Sequence, residues 1–136
     1  MARILVVDDE EPIRRLWKQV LEDEGHMVIT ANDGHDGLVK SILFIEQLDL
    51  VVTDLNMLSL NGLEMIVAMQ AARCLPPRAI IASGDFTNES IIDSNSRLIR
   101  KLFPPSTKLD LQFLAKPIKL DLFLQVVNTL LAGKVE

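Results

Sequence analysis

The stretch Leu48-Asp49-Leu50-Val51-Val52-Thr53-Asp54 decides how the chain folds. Its three consecutive apolar residues, two of them β-branched, read as a strand buried on both faces, and the Asp54 carboxylate falls where that strand stops. Arg3-Ile4-Leu5-Val6-Val7 stops in the same way against Asp8-Asp9-Glu10. Two buried strands therefore deliver acid to one edge of a parallel sheet.

Between these strands, Ile13, Leu16, Trp17, Val20 and Leu21 recur at helical spacing and predict one apolar helix face ending near Gly25, with Pro12 in the first turn. His26 to Thr30 reads as a short strand. Asn32-Asp33-Gly34 then supplies the turn and cap for a second helix with Leu38, Ile42 and Ile45 inward. Beyond Asp54, Asn61-Gly62 opens a third helix with Leu63, Ile66 and Val67 inward. Pro76-Pro77 closes it before the strand Ala79-Ile80-Ile81-Ala82, which runs into Ser83-Gly84-Asp85. A fourth helix is expected from Thr87, carrying Ile91, Ile92, Leu98, Ile99 and Leu102 as far as Pro104-Pro105. The interval up to Leu111 exceeds what one crossover helix needs, so an extra turn, short helix or loop is expected around residues 96–110. Leu111 to Ala115 is the last strand. Lys116-Pro117 follows, then a helix with Phe123, Val126, Val127, Leu130 and Leu131 on one face.

Five strands alternating with five helices predict an α/β fold, a doubly wound five-stranded parallel sheet with right-handed crossovers; the expected order is 2-1-3-4-5, flavodoxin-like. Ligands of such sheets sit at the carboxyl ends of the strands where the order reverses, here between the strands that end in Asp9 and Asp54. The 136 residues fit one domain, 1–136, and 49% apolar with 24% charged residues suits a compact core. A net charge of -5 with scattered Lys and Arg argues against a nucleic-acid surface. One cysteine, Cys74, excludes an intramolecular disulfide and reads as a structural thiol; with two histidines there is no zinc framework. No apolar stretch reaches spanning length and the N-terminus has no signal-like apolar region, so no membrane partner is expected and the cytoplasm is the expected location.

Clustered carboxylates raise one another's pKa in a partly dry pocket and call for a cation. Oxygen-only ligands favour a hard ion that keeps its waters, Mg²⁺ ahead of zinc. Lys116 after the fifth strand and the Ser83 hydroxyl after the fourth would face the same rim. A metal, a fixed ammonium and a hydroxyl around one carboxylate are suited to hold a phosphoryl group during transfer, with Asp54 as nucleophile.

In order and position, Val6-Val7-Asp8-Asp9-Glu10, Val52-Thr53-Asp54-Leu55-Asn56-Met57 with Asn61-Gly62, Ala82-Ser83 and Lys116-Pro117 resemble the receiver domain of two-component response regulators, of the stand-alone CheY-like kind. The resemblance covers nearly the whole chain. It implies that Asp54 accepts a phosphoryl group from a histidine kinase or histidine phosphotransfer protein. It further implies that Asp9 ligates Mg²⁺ directly, Asp8 largely through water and Asn56 through its backbone carbonyl, while Ser83 and Lys116 contact the phosphoryl oxygens. Phe113 falls at the family's rotating aromatic switch, although a strand Phe is as readily core, and Pro117 would follow a cis peptide. The chain departs from the family at Leu58, usually Pro, and at Lys108-Leu109-Asp110, where a Gly-Ala pair is usual.

The expected function is a phosphorylation switch, Mg²⁺-dependent, catalysing no more than its own phosphotransfer and autodephosphorylation and signalling to a downstream protein through a changed docking surface. The segment from Asp85 to Asp110 is the expected mover, and with no linker or second domain read before Glu136, a DNA-binding output in the same chain is not expected. A receiver fragment of a longer regulator or hybrid kinase is the alternative. A pseudo-receiver is disfavoured by the complete residue set, and an Asp-nucleophile phosphatase by Asn56, which stands where such enzymes carry a second acid. Trp17 reads as packing, and Met57, Met65 and Met69 as core filler or exposed contacts.

Overall fold

The computed structural model describes residues 1–84, 97, 101, 103 and 108–133. The expected helix from Thr87, and most of the expected moving segment, lie outside the described residues. The described elements are β1 (Arg3–Val7), α1 (Glu11–Asp23), β2 (Met27–Ala31), α2 (Gly34–Leu43), β3 (Leu50–Asp54), α3 (Gly62–Ala71), β4 (Arg78–Ser83), β5 (Asp110–Ala115) and α4 (Leu120–Ala132). All strand pairs are parallel, as the alternation predicts, and their order is the expected β2-β1-β3-β4-β5. The register sets Val7 beside Thr53, Asp54 beside Ala82 and Ser83 beside Ala115, so the polar strand ends share one edge.

Strand periodicity of two divides the core into two layers. Leu5, Val7, Val51 and Ile81 face α2 and α3 with Met65, Ile66 and Met69, and Phe103 joins this layer. Ile4, Val6, Val52 and Ile80 face α1 and α4 with Trp17, Leu21, Phe123 and Val127. Met57, Met65 and Met69 are thus core residues. Local caps follow the sequence. Pro12 lies in the first turn of α1, Asp33 accepts a hydrogen bond from the Asp36 N–H at 2.7 Å, and Asn61 and Glu64 form a capping box on α3.

The second helix departs from its expected orientation. Ile42 is 49% exposed, while Gly34, Gly37 and Ser41 are buried; Ile45, 44% exposed, lies beyond the end of α2. The small residues decide this: a Cβ at Gly37 would lie 2.7 Å from Met65 Sδ and 3.0 Å from a Val7 methyl, so α2 lies too close to β1 and α3 for a larger side chain there. Leu38 still packs partly against the core. On α1, Leu16 is likewise turned outward, whereas Trp17 and Leu21 are buried.

At the amino-terminal edge of the sheet, polar groups close on backbone. Arg78, itself buried, donates from Nε to the Leu130 carbonyl at 2.9 Å and from Nη1 toward the Asp49 carbonyl at 3.5 Å. The Arg3 N–H donates to Asp49 Oδ2 at 2.9 Å and the Ala2 N–H to His26 Nδ1 at 3.1 Å. Among the described residues, no buried side-chain nitrogen or oxygen lacks a hydrogen-bond partner.

Candidate functional site

The opposite edge collects charge. Immediately after β1, Asp8 is fully buried; its Oδ1 accepts the Glu10 N–H at 2.9 Å and its carbonyl oxygen accepts from Arg14 Nη1 at 2.7 Å. Asp9 beside it is exposed, and β3 ends on the buried Asp54. Carboxylate oxygens of Asp8, Asp9 and Asp54 lie within 4.8 Å of one another, a grouping able to hold a metal ion. Lys116 comes from the end of β5, where its N–H donates to the Ser83 carbonyl at 3.0 Å and the Lys116-Pro117 peptide is cis. Its Nζ reaches Asp54 Oδ1 at 3.2 Å and Asp8 Oδ2 at 3.4 Å.

The loop after β3 folds back over the strand end. The Gly62 N–H donates to the Leu55 carbonyl at 2.9 Å, and a Cβ on Gly62 would collide with the Asp54 carbonyl oxygen, so glycine is required at this approach. Within the loop, Leu58 is 83% exposed and Ser59 takes a positive φ of 70°. The Asn56 side-chain amide donates to the buried Ser83 hydroxyl at 2.9 Å, tying this loop to the end of β4. Phe113 pairs with Ile81 and is half-buried against the α2–α3 layer. The structure thus gathers Asp8, Asp9, Asp54 and Lys116 directly and sets Ser83 and Asn56 beside them, with Phe113 one layer inward.

Burial pushes the Asp54 carboxyl above its usual range; Asp8 adds to the rise and Lys116 opposes it. Burial also raises Asp8, against the Glu10 N–H and Lys116. For Lys116 burial acts downward, but the two carboxylates outweigh it and hold the ammonium above its ordinary value. Three carboxyl groups converge where one ammonium reaches two of them, a surplus of acid that a divalent ion would complement. The all-oxygen donors fit Mg²⁺.

Sequence periodicity missed one contact. The Lys116 ammonium sits over the Trp17 ring, 5.5 Å from its centroid, and Trp17 stacks on Phe123 with centroids 5.5 Å apart and planes inclined by 20°. A groove of about 440 Å³ runs alongside, lined by Ile13, Leu16, Trp17, Lys116, Pro117 and Leu120 among others. Helical spacing identified Trp17 as a core residue. Its position under a lysine distant in sequence follows only once α1 and the turn after β5 are docked on the same face.

The profile of the response regulator receiver domain matches residues 4–98. The chain belongs to the response regulator receiver domain family. Over 93% of its length this receiver is 29% identical to the transcriptional regulatory protein GlrR of Escherichia coli K12, of which the match covers 26%. The chain therefore spans about a quarter of that relative's length. Among solved structures, chemotaxis protein CheY4 of Vibrio cholerae superposes with a TM-score of 0.76 at 22% identity, covering 96% of this chain and 98% of CheY4, which bears on the fold. The response regulator TrrA of Thermotoga maritima, solved in complex with Mg²⁺ and BeF, superposes with a TM-score of 0.72 at 28% identity, covering 96% of this chain and 99% of TrrA. Among the described residues, no helix is long and apolar enough to cross a membrane.

Proposed function

We propose that this receiver accepts a phosphoryl group on Asp54 from a phosphohistidine of a histidine kinase or phosphotransfer protein, and passes the event to a downstream protein through a changed docking surface in the cytoplasm. The observation that carries this is the placement of the Lys116 ammonium 3.2 Å from Asp54 Oδ1, beside the cluster of Asp8, Asp9 and Asp54. An Asp54 carboxylate oxygen attacks phosphorus as the bond to the donor imidazole nitrogen breaks and the imidazole leaves. Raised by burial, the Asp54 carboxylate gives up little hydration to do so, and Lys116 balances charge on the transferring oxygens. Asp8, Asp9, Asp54 and the Asn56 backbone carbonyl would hold Mg²⁺, which when bound supplies neutralisation of the phosphoryl charge. Likeness to TrrA, solved with Mg²⁺ and BeF, supports this ligand choice. Ser83, tied to the β3 loop through Asn56, would turn to a phosphoryl oxygen and shift that loop.

The residue two after Asp54 is Asn56, a neutral amide that cannot serve as general acid, and this favours a switch that turns over its own phosphoryl group over a phosphatase acting on small molecules. The test is incubation with acetyl phosphate and Mg²⁺, with the modified residue located by mass spectrometry. Uptake on Asp54, absent in Asp54→Ala, is the expected result; wild-type uptake by Asp54→Ala would refute the assignment.

A further inference from the structure

Lys116 contacts two kinds of partner: the Asp8 and Asp54 carboxylates on one side and the Trp17 indole face on the other. We infer that Trp17 is a positioning residue that holds the Lys116 ammonium at the acceptor carboxylate; this rests on the phosphoryl-acceptor function proposed above. A lysine side chain has four rotatable bonds, and confining it costs rotamer entropy. An indole face within about 6 Å attracts an ammonium, more strongly as the site dries. Here the indole is 4% exposed, Phe123 backs it at 5.5 Å in a near-parallel stack, and Phe123 is fully buried against β1 and β3 residues. The platform therefore cannot turn away without disturbing the α1–α4 layer. When a phosphoryl group occupies Asp54, the ammonium must follow the new oxygens, and a fixed platform restricts it to the arc that faces them. An aliphatic residue of similar bulk would fill the core but offer the ammonium no attraction.

The contact is read by NMR and its consequence by binding. In metal-free wild type, the indole ring current should move the Lys116 ε-methylene protons upfield, and Trp17→Leu should return them to ordinary positions. Unshifted ε-protons in wild type would overturn the inference without any variant. Trp17→Leu should weaken beryllofluoride binding in saturating Mg²⁺ by roughly fivefold to tenfold, while Trp17→Phe, which keeps an aromatic face and is the milder change to the core, should restore most of it. In a Lys116→Ala background, Trp17→Leu should have no further effect. An equal loss in both backgrounds, or no loss in either, would show Trp17 to be packing alone. If wild type binds no beryllofluoride at all, the acceptor function falls and this inference with it, whereas wild-type binding that Trp17→Leu leaves intact overturns the positioning role alone.

Discussion

The two edges of the sheet handle buried polarity in opposite ways. At the amino-terminal edge Arg78 is buried, yet its guanidinium is spent on the carbonyls of Leu130 and Asp49, joining β4 to the end of α4 and the start of β3. At the carboxyl-terminal edge Asp8 and Asp54 are buried against one shared ammonium, and burial raises both carboxyls. One edge is closed by its own backbone, while the other keeps charge that calls for a ligand. Stability is concentrated where the chain satisfies itself and given up where it binds.

The largest expected effect breaks the closed edge. Arg78→Met fills similar space but leaves two carbonyls without their charged donor and should cost about 2–3 kcal/mol in denaturant unfolding, with acetyl phosphate labelling of the folded fraction unchanged. A loss confined to labelling would reverse the assignment of the two edges. Next comes the open edge with ligand: Mg²⁺ at ten times its Kd should stabilise wild type by about 1.4 kcal/mol. Asp9→Ala should lose that gain, as melting with and without the ion will show.

A smaller effect is expected from Asp54→Asn without metal. Because the folded Asp54 pKa is raised, its protonated form favours the fold; that contribution is complete below the unfolded value of 3.8 and is lost as pH rises through the folded value. Asp54→Asn should therefore melt a few degrees higher than wild type at neutral pH, with the difference closing toward pH 3.8. A variant less stable than wild type at pH 7 would mean that the Lys116 pair outweighs the burial of the charge. The smallest effect belongs to His26. Burial and the nearby N-terminal ammonium lower its pKa against Glu24 and Asp49, so stability present above 6.5 is lost as pH falls through the folded value. His26→Asn, which keeps an acceptor for the Ala2 N–H, should flatten the melting curve's dependence on pH just below 6.5.

Much of this molecule could be read from local pattern, and the exceptions have physical causes. The buried strands, the Asp33 cap and the turn at Asn61 follow from periodicity and turn chemistry, because each is a short-range property, whereas the strand order belongs to the sheet as a whole. Parallel strands end on one edge, so topology alone converts the strand-end residues Asp8, Asp9, Asp54 and Lys116 into neighbours. Apolar character alone places Ile42 and Ile45 inward, but the close approach of α2 selects Gly37 and Ser41 as its packing side and the helix ends before Ile45; hydrophobicity does not encode interaxial distance. The Asn56–Ser83 hydrogen bond and the Trp17–Lys116 contact join residues far apart in sequence through side-chain directions that no repeat describes.

Trp17 is the chain's single tryptophan, and there is no tyrosine. Light absorbed beyond the phenylalanine band is therefore absorbed and re-emitted by one indole, and that indole lies 5.5 Å beneath the Lys116 ammonium. The emission of the whole molecule becomes a local signal: an event that draws the ammonium toward Asp54, or away from it, alters the field across the excited ring, and the state of the acceptor site can be followed in solution without a label.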